Sequence, residues 1–331
     1  MSISIESILT GNRLALARGL TAVENNTQEG QAILSALYPK GGHAHLIGIT
    51  GSPGTGKSSL VNQLVLEYRK QVPEQKVAII AVDPTSPFSG GAVLGDRVRM
   101  RSLSGDDGVF IRSMASRGAL GGLARQTAAM AQLFDCAGYQ LVLIETVGAG
   151  QNEVDIVRLA HTTVVVEAPG LGDDIQAIKA GILEIADILV VNKADHPGVE
   201  ATERALRSML ELANGNARYS GHHGVGRKAV EDGEPANIGW IPPVLRTIAT
   251  DKKGIGELFD QIEKHRQWLL DTGEWIHRET DRVEAEMHDE LQAELLRRWE
   301  QNGSSGAFQA ELQKVLKREI SPQEGVSRLL R

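Results

Sequence analysis

Residues 45-HLIGIT-50 run directly into 51-GSPGTGKSS-59, and a helical run follows. A short apolar stretch of this kind reads as a strand buried on both faces. The turn after it fits G-x-x-x-x-G-K-[ST] at Gly51, Gly56, Lys57 and Ser58. Strand, glycine turn and helix in that order make a phosphate cradle. The glycines let the chain wrap with its N–H groups inward, forming an anion nest at a helix N-terminus. Ser52, Pro53, Gly54, Thr55 and Ser59 complete the wrap. Lys57 can set its ammonium against the outer phosphates, and the Ser58 hydroxyl is a hard oxygen ligand suited to Mg²⁺.

Outward from this point, apolar runs alternate with helix-length segments: 77-VAIIAV-82, 109-VFIR-112, 140-QLVLIET-146, 163-TVVVEA-168, 187-DILVVN-192 and 241-IPPVLRTI-248. Near-continuous Val/Ile/Leu runs predict parallel strands covered on both faces, hence a doubly wound, mostly parallel α/β sheet with ligands at the carboxyl ends of its strands. Two helical patterns precede it and end at the breaker Pro39-Lys40-Gly41-Gly42. Beyond Gly254 the pattern is helical to the end, and a charged helix from about Trp275 to Glu300 carries an apolar stripe of Met287, Leu291, Leu295, Leu296 and Trp299. Such a stripe needs a second surface, and a subunit partner is the favoured one. The expected organisation is a helical extension over 1–42, a nucleotide-binding domain over 43–270 and a helical dimerisation arm over 271–331. Residues 214–239 are Gly-rich and irregular and read as a surface excursion.

Composition narrows the function classes. The chain has 331 residues, 41% hydrophobic and 23% charged, enough for packed cores. A net charge of −7 and only 4% aromatics argue against nucleic acid as a partner, because neither a basic surface nor stacking platforms are on offer. No run reaches the ~18 apolar residues of a membrane span. The first twenty residues carry Glu6, Arg13 and Arg18 and lack a signal-peptide core, which reads as a cytoplasmic protein. The lone Cys136 excludes an internal disulfide and a four-cysteine zinc site.

The base is read from 188-ILVVNKAD-195. This run delivers Asn192, Lys193 and Asp195 at a strand's carboxyl end. A carboxylate at Asp195 accepts from both N1–H and the N2 amine of guanine, whereas adenine has an acceptor at N1 and no N2 amine. Unpaired buried polar groups make such discrimination large, so GTP/GDP is favoured over ATP. Asp83, Asp96 and Glu145 are the acidic positions near the phosphates that can manage Mg²⁺ or water. Lys57, Asp83 and Glu145 are the candidate catalytic residues, and Ser58, Asp83, Asp96 and Glu145 the candidate metal neighbourhood. Gly148 suits a backbone N–H donated to the γ-phosphate. Spacing alone names no residue that orients the hydrolytic water; Gln151 qualifies by residue type only.

These segments, with 83-DPTSP-87, 90-GGAVLGDRVRM-100, 145-ETVGAGQNEVD-155 and 171-LGDDIQAIKAGILEIAD-187, together resemble the MeaB/ArgK family, the G proteins that escort coenzyme-B12-dependent acyl-CoA mutases, chiefly methylmalonyl-CoA mutase. The resemblance spans nearly the whole chain. It implies a homodimer joined through the C-terminal arm and slow GTP hydrolysis that gates adenosylcobalamin delivery and protects or reactivates the mutase. It also implies mobile switch loops at 146–155 and 170–174. One departure is 248-IAT-250 where the family commonly has Ser-Ala-Leu; Ala249 keeps a backbone N–H for guanine O6, and the serine's role is absent. An older reading of the family as an arginine-transport kinase fits the guanine-reading motif poorly.

Two other functions compete. A metal-insertion GTPase of the hydrogenase/urease maturation type uses histidine tracts or paired cysteines, and here the closest spacings are His222-His223 and His43 with His45. A non-hydrolysing guanine-nucleotide scaffold has less need of the three acidic residues.

Overall fold

The computed structural model describes residues 3–84, 100–103, 105–116, 122–146, 159–170, 185–216, 239–301 and 305–330. Three helices open the chain, α1 (Ile5–Leu9), α2 (Arg13–Glu24) and α3 (Gln28–Leu37). Each starts where a short polar side chain satisfies an orphan amide: Ser4 accepts from Ser7 N–H, Asn12 from Ala15 N–H and Thr27 from Gly30 N–H.

The sheet alternates with the remaining helices: β1 (His45–Thr50), α4 (Lys57–Gln71), β2 (Val77–Pro84), β3 (Val109–Ser116), α5 (Gly122–Cys136), β4 (Leu141–Thr146), β5 (Thr162–Glu167), β6 (Ile188–Val191), α6 (Val199–Asn216), β7 (Val244–Arg246) and α7 (Ile255–Thr272). Every described strand pair is parallel, in the order β3-β2-β4-β1-β5-β6-β7. The doubly wound parallel sheet is therefore present. Strand order reverses direction around β1, so a crevice opens at its carboxyl end, where 51–59 begins.

Both faces are covered, which is why the strands read as unbroken apolar runs. On one face Ala78, Ile80, Val142 and Ile144 pack with Leu16, Leu20 and Ile33 of the opening helices and with Met130 and Phe134 of α5. The alternate residues Ile79, Leu143, Ile47 and Ile49 face α4 and α7 through Leu60, Leu64, Leu258 and Ile262. The period of two along each strand sorts its side chains between these two cores.

The chain divides into two compact units, Met1–Arg282 and Val283–Arg331. The first takes in the opening helices as well as the sheet. Helix α8 (Glu274–Gln301) begins in the first unit and ends in the second, which continues with α9 (Ser305–Leu316) and α10 (Pro322–Leu329). Within the second unit Trp299 meets Phe308 edge-on, with ring centroids 6.0 Å apart.

A buried polar cluster occupies the foot of β5 and β6. Arg278 of α8 grips both oxygens of Asp187 at 2.8 Å and the carbonyl of His161 at 2.6 Å. The Thr162 hydroxyl bridges His45 Nε2 (2.7 Å) and His265 Nδ1 (2.9 Å). His161 Nδ1 accepts the N–H of Leu46, which leaves its Nε2 proton for Glu279. Trp275 stacks on His161 at 3.9 Å, and Trp240 and Trp268 flank His265. Burial opposes the charge on Asp187, but Arg278 and His265 outweigh it and hold the carboxyl well below the usual range.

Candidate functional site

The glycine turn is shaped by contacts that no side chain could survive. Gly51 has φ +135°, and a Cβ there would stand 2.0 Å from the carbonyl oxygen of Val166. Gly56, at φ +91°, is the residue before α4, and a Cβ there would lie 2.6 Å from Asn192 Nδ2. No side chain caps α4, so the positive end of the helix faces the turn. Lys57 is buried at 6% exposure and donates to the carbonyls of Gly51 (2.7 Å) and Ser52 (2.9 Å). The loop thus holds its own ammonium over the helix end.

Ser58 follows on the first turn and donates to Glu145 Oε1 at 2.6 Å; both residues are buried. Glu145 lies near the end of β4, opposite Ile49 of β1 and Ala81 of β2. Two hard oxygen donors in contact beside a phosphate-binding helix end suit Mg²⁺. Asp83 lies on the backbone of β2, two steps beyond that pairing. Asp96 and Gly148 lie outside the described residues, as do Gln151, the 147–155 stretch, residues 171–174 and His222-His223.

The base-side loop meets the same turn. Asn192 follows β6, and its side chain serves the framework: Nδ2 donates to the Thr55 carbonyl at 2.8 Å, while Oδ1 accepts from Thr247 Oγ1 at 3.0 Å and Ala249 N–H at 3.2 Å. The amide expected to contact guanine therefore ties three loops together, and it also engages the Ala249 N–H. Lys193 takes a left-handed backbone, φ +57°, that turns the chain toward Asp195. A pocket of about 140 Å³ opens between the loops, lined by Gly56, Ser59, Asn192, Lys193, Asp195, His196, Ile248, Ala249 and Thr250. The phosphate-loop and base-loop residues read separately from sequence share this one cavity.

The family model described as methylmalonyl Co-A mutase-associated GTPase MeaB matches residues 16–304. The chain belongs to the MeaB family. A GTPase-named protein of Pyrococcus abyssi is 43% identical to it over 99% of this chain and 95% of that protein. GTPase ArgK of Escherichia coli is 34% identical over 84% of this chain and 83% of its own length. A crystal structure titled LAO/AO transport system kinase superposes with a TM-score of 0.66 at 25% identity, covering 98% of this chain and 94% of that one. Like its MeaB relatives, the chain is a GTPase.

Sequence reading passed over Glu167, which closes β5 and is 3% exposed. Its Oε1 lies 3.3 Å from Ser52 Oγ in the phosphate loop. The signal available was an acid ending a strand, as in β2 and β4, but its neighbour across the sheet is set by strand order.

Proposed function

We propose that this MeaB-family GTPase is a chaperone of an adenosylcobalamin-dependent acyl-CoA mutase, with methylmalonyl-CoA mutase the first candidate. It acts as a homodimer, gates adenosylcobalamin loading and protects or reactivates the mutase. The family match over 16–304, whose description names the mutase, carries this reading. The pocket bounded by Gly56, Asn192, Asp195 and Ala249 supports guanine-nucleotide binding as its basis. The Gly51–Ser59 turn holds the phosphates and Asp195 reads the base. Ser58 and Glu145, with Asp83 and Asp96, form the magnesium neighbourhood. Mg²⁺ held there would offset charge on the phosphates, and the Lys57 ammonium binds the same oxygens in ground and transition state alike.

Hydrolysis is slow for the protein alone, because phosphoryl transfer depends on positioning and charge that a partner completes. Phosphate release is measured with and without methylmalonyl-CoA mutase. Acceleration by the mutase is expected. An unchanged rate with every acyl-CoA mutase of the same cell would refute the chaperone role and leave the GTPase assignment standing. The metal-insertion alternative lacks a described foothold: among the described residues no group of three or more His, Cys, Asp or Glu could hold a metal ion.

A further inference from the structure

Acidic residues stand at or next to the carboxyl ends of β2, β4 and β5, and Glu167 on β5 has no part in the reading above. β1 and β5 run parallel with Thr50 opposite Val165. Two steps further along the same register, Gly51 falls beside Val166 and Ser52 beside Glu167. At the first step the backbones touch, since a Cβ on Gly51 would meet the Val166 carbonyl oxygen at 2.0 Å. At the second the side chains meet, with Ser52 Oγ 3.3 Å from the buried Glu167 carboxylate.

Ser52 is also the anchor of Lys57. Its carbonyl accepts from Lys57 Nζ at 2.9 Å and from Thr55 Oγ1 at 3.0 Å. The carbonyl of Glu167 accepts the Asn192 N–H at 2.7 Å. One residue therefore meets the phosphate loop through its side chain and the base loop through its backbone. We infer that Glu167 is a positioning residue for GTP: through the Ser52 hydroxyl its carboxylate fixes the carbonyl that aims the Lys57 ammonium at the phosphates. The inference rests on the phosphate-binding role of 51–59. At 3.3 Å the contact is long for a hydroxyl donor, so it is the charge of the acceptor that gives it its strength.

The test is steady-state GTP hydrolysis by the full chain with Ser52→Ala, Ser52→Thr, Glu167→Gln and the Ser52→Ala/Glu167→Gln pair. Losing a hydrogen bond to a charged group is expected to raise KM about tenfold in Ser52→Ala. Glu167→Gln is expected to raise it at least about threefold, because the amide still accepts without the charge. In both, kcat falls by less, since Lys57 holds the phosphates in ground and transition states alike. Ser52→Thr keeps the hydroxyl and recovers most of the loss seen in Ser52→Ala. The double variant is no worse than Ser52→Ala, because both changes cut one link. Parent-like KM in Ser52→Ala, equal loss in Ser52→Thr, or losses that multiply in the double variant would overturn the inference. Should Glu167→Gln fail to fold, the Ser52→Ala and Ser52→Thr pair decides alone. A parent protein that turns over no GTP would instead indict the nucleotide site itself.

Discussion

At the scale of single residues, the site is built from positions whose identity is dictated by neighbours far away in sequence. Gly51 and Gly56 are glycines because Val166 and Asn192 leave no room for a Cβ. Asn192 is spent on Thr55, Thr247 and Ala249, which leaves Asp195, exposed in the 140 Å³ pocket, as the proposed reader of the base. Asp195→Asn is accordingly expected to weaken GTP by about 100-fold through loss of two charge-assisted hydrogen bonds, and to admit xanthine nucleotides, whose O2 accepts from the new amide. Competition binding of GTP against XTP measures the switch; unaltered selectivity would show that another residue reads the base. The residue types of the cradle were legible because glycines, lysine and serine at fixed spacing have few other uses. The framework role of Asn192 and the Ser52–Glu167 contact were not, since both depend on how β1, β5 and β6 line up.

Among the elements, the strands were the most legible, because cover on both faces leaves no polar alternation to confuse the pattern. The exception is instructive. The run 241-IPPVLRTI-248 yields only the three-residue β7, since Pro242 and Pro243 lack the N–H that a longer ladder needs. The opening segment forms three helices rather than two, because Asn12 recaps the chain within the first pattern and splits it into α1 and α2. The cluster at the foot of β5 and β6 draws on β1, β5, α7 and α8 and leaves no local mark in the sequence. Its histidines make stability depend on pH. Burial first, then the neighbouring His161, His265 and Arg266, hold His45 well below the ordinary imidazole value of 6.5. Burial also lowers His161, against the pull of Glu279, whose own carboxyl is held down to about 2 mainly by His161 and Arg282 in spite of burial. As pH falls, the unfolded chain takes up these protons before the folded one does. Stability present above pH 6.5 is therefore lost below it, by up to about 1.4 kcal/mol per pH unit for each histidine. Thermal melts of the nucleotide-free protein from pH 7.5 to 5.5 should show a falling Tm, and His161→Gln should shallow the fall. A profile that stays flat in the parent would contradict this account of the cluster.

For the whole molecule, the second unit poses its own demand. Met287, Leu291, Leu295 and Leu296 on α8 are 55–69% exposed, and Phe308, Leu316 and Val326 follow on α9 and α10. Met287, Leu291 and Leu295 recur once per turn, with Leu296 beside the last, and make an apolar stripe, which the proposed homodimer would bury. Leu291→Asp puts a charge in that stripe, and forcing an unpaired carboxylate into an apolar contact should weaken association by at least about 100-fold. Sedimentation of parent and variant over a concentration range reads this directly. A parent that is monomeric at every concentration would remove the dimer from the proposal.

The tryptophans carry a consequence for optical work. Of the four in the chain, Trp240, Trp268 and Trp275 sit within ring contact of His161 or His265, and Trp299 lies in the second unit. None lines the pocket between Gly56 and Asp195. Intrinsic indole emission therefore reports first on the surroundings of these imidazoles and of Trp299, rather than on direct contact with the pocket. Kinetic studies of GTP uptake are best served by a labelled ligand for the pocket, and the native indole signal adds a second channel recorded in the same cuvette.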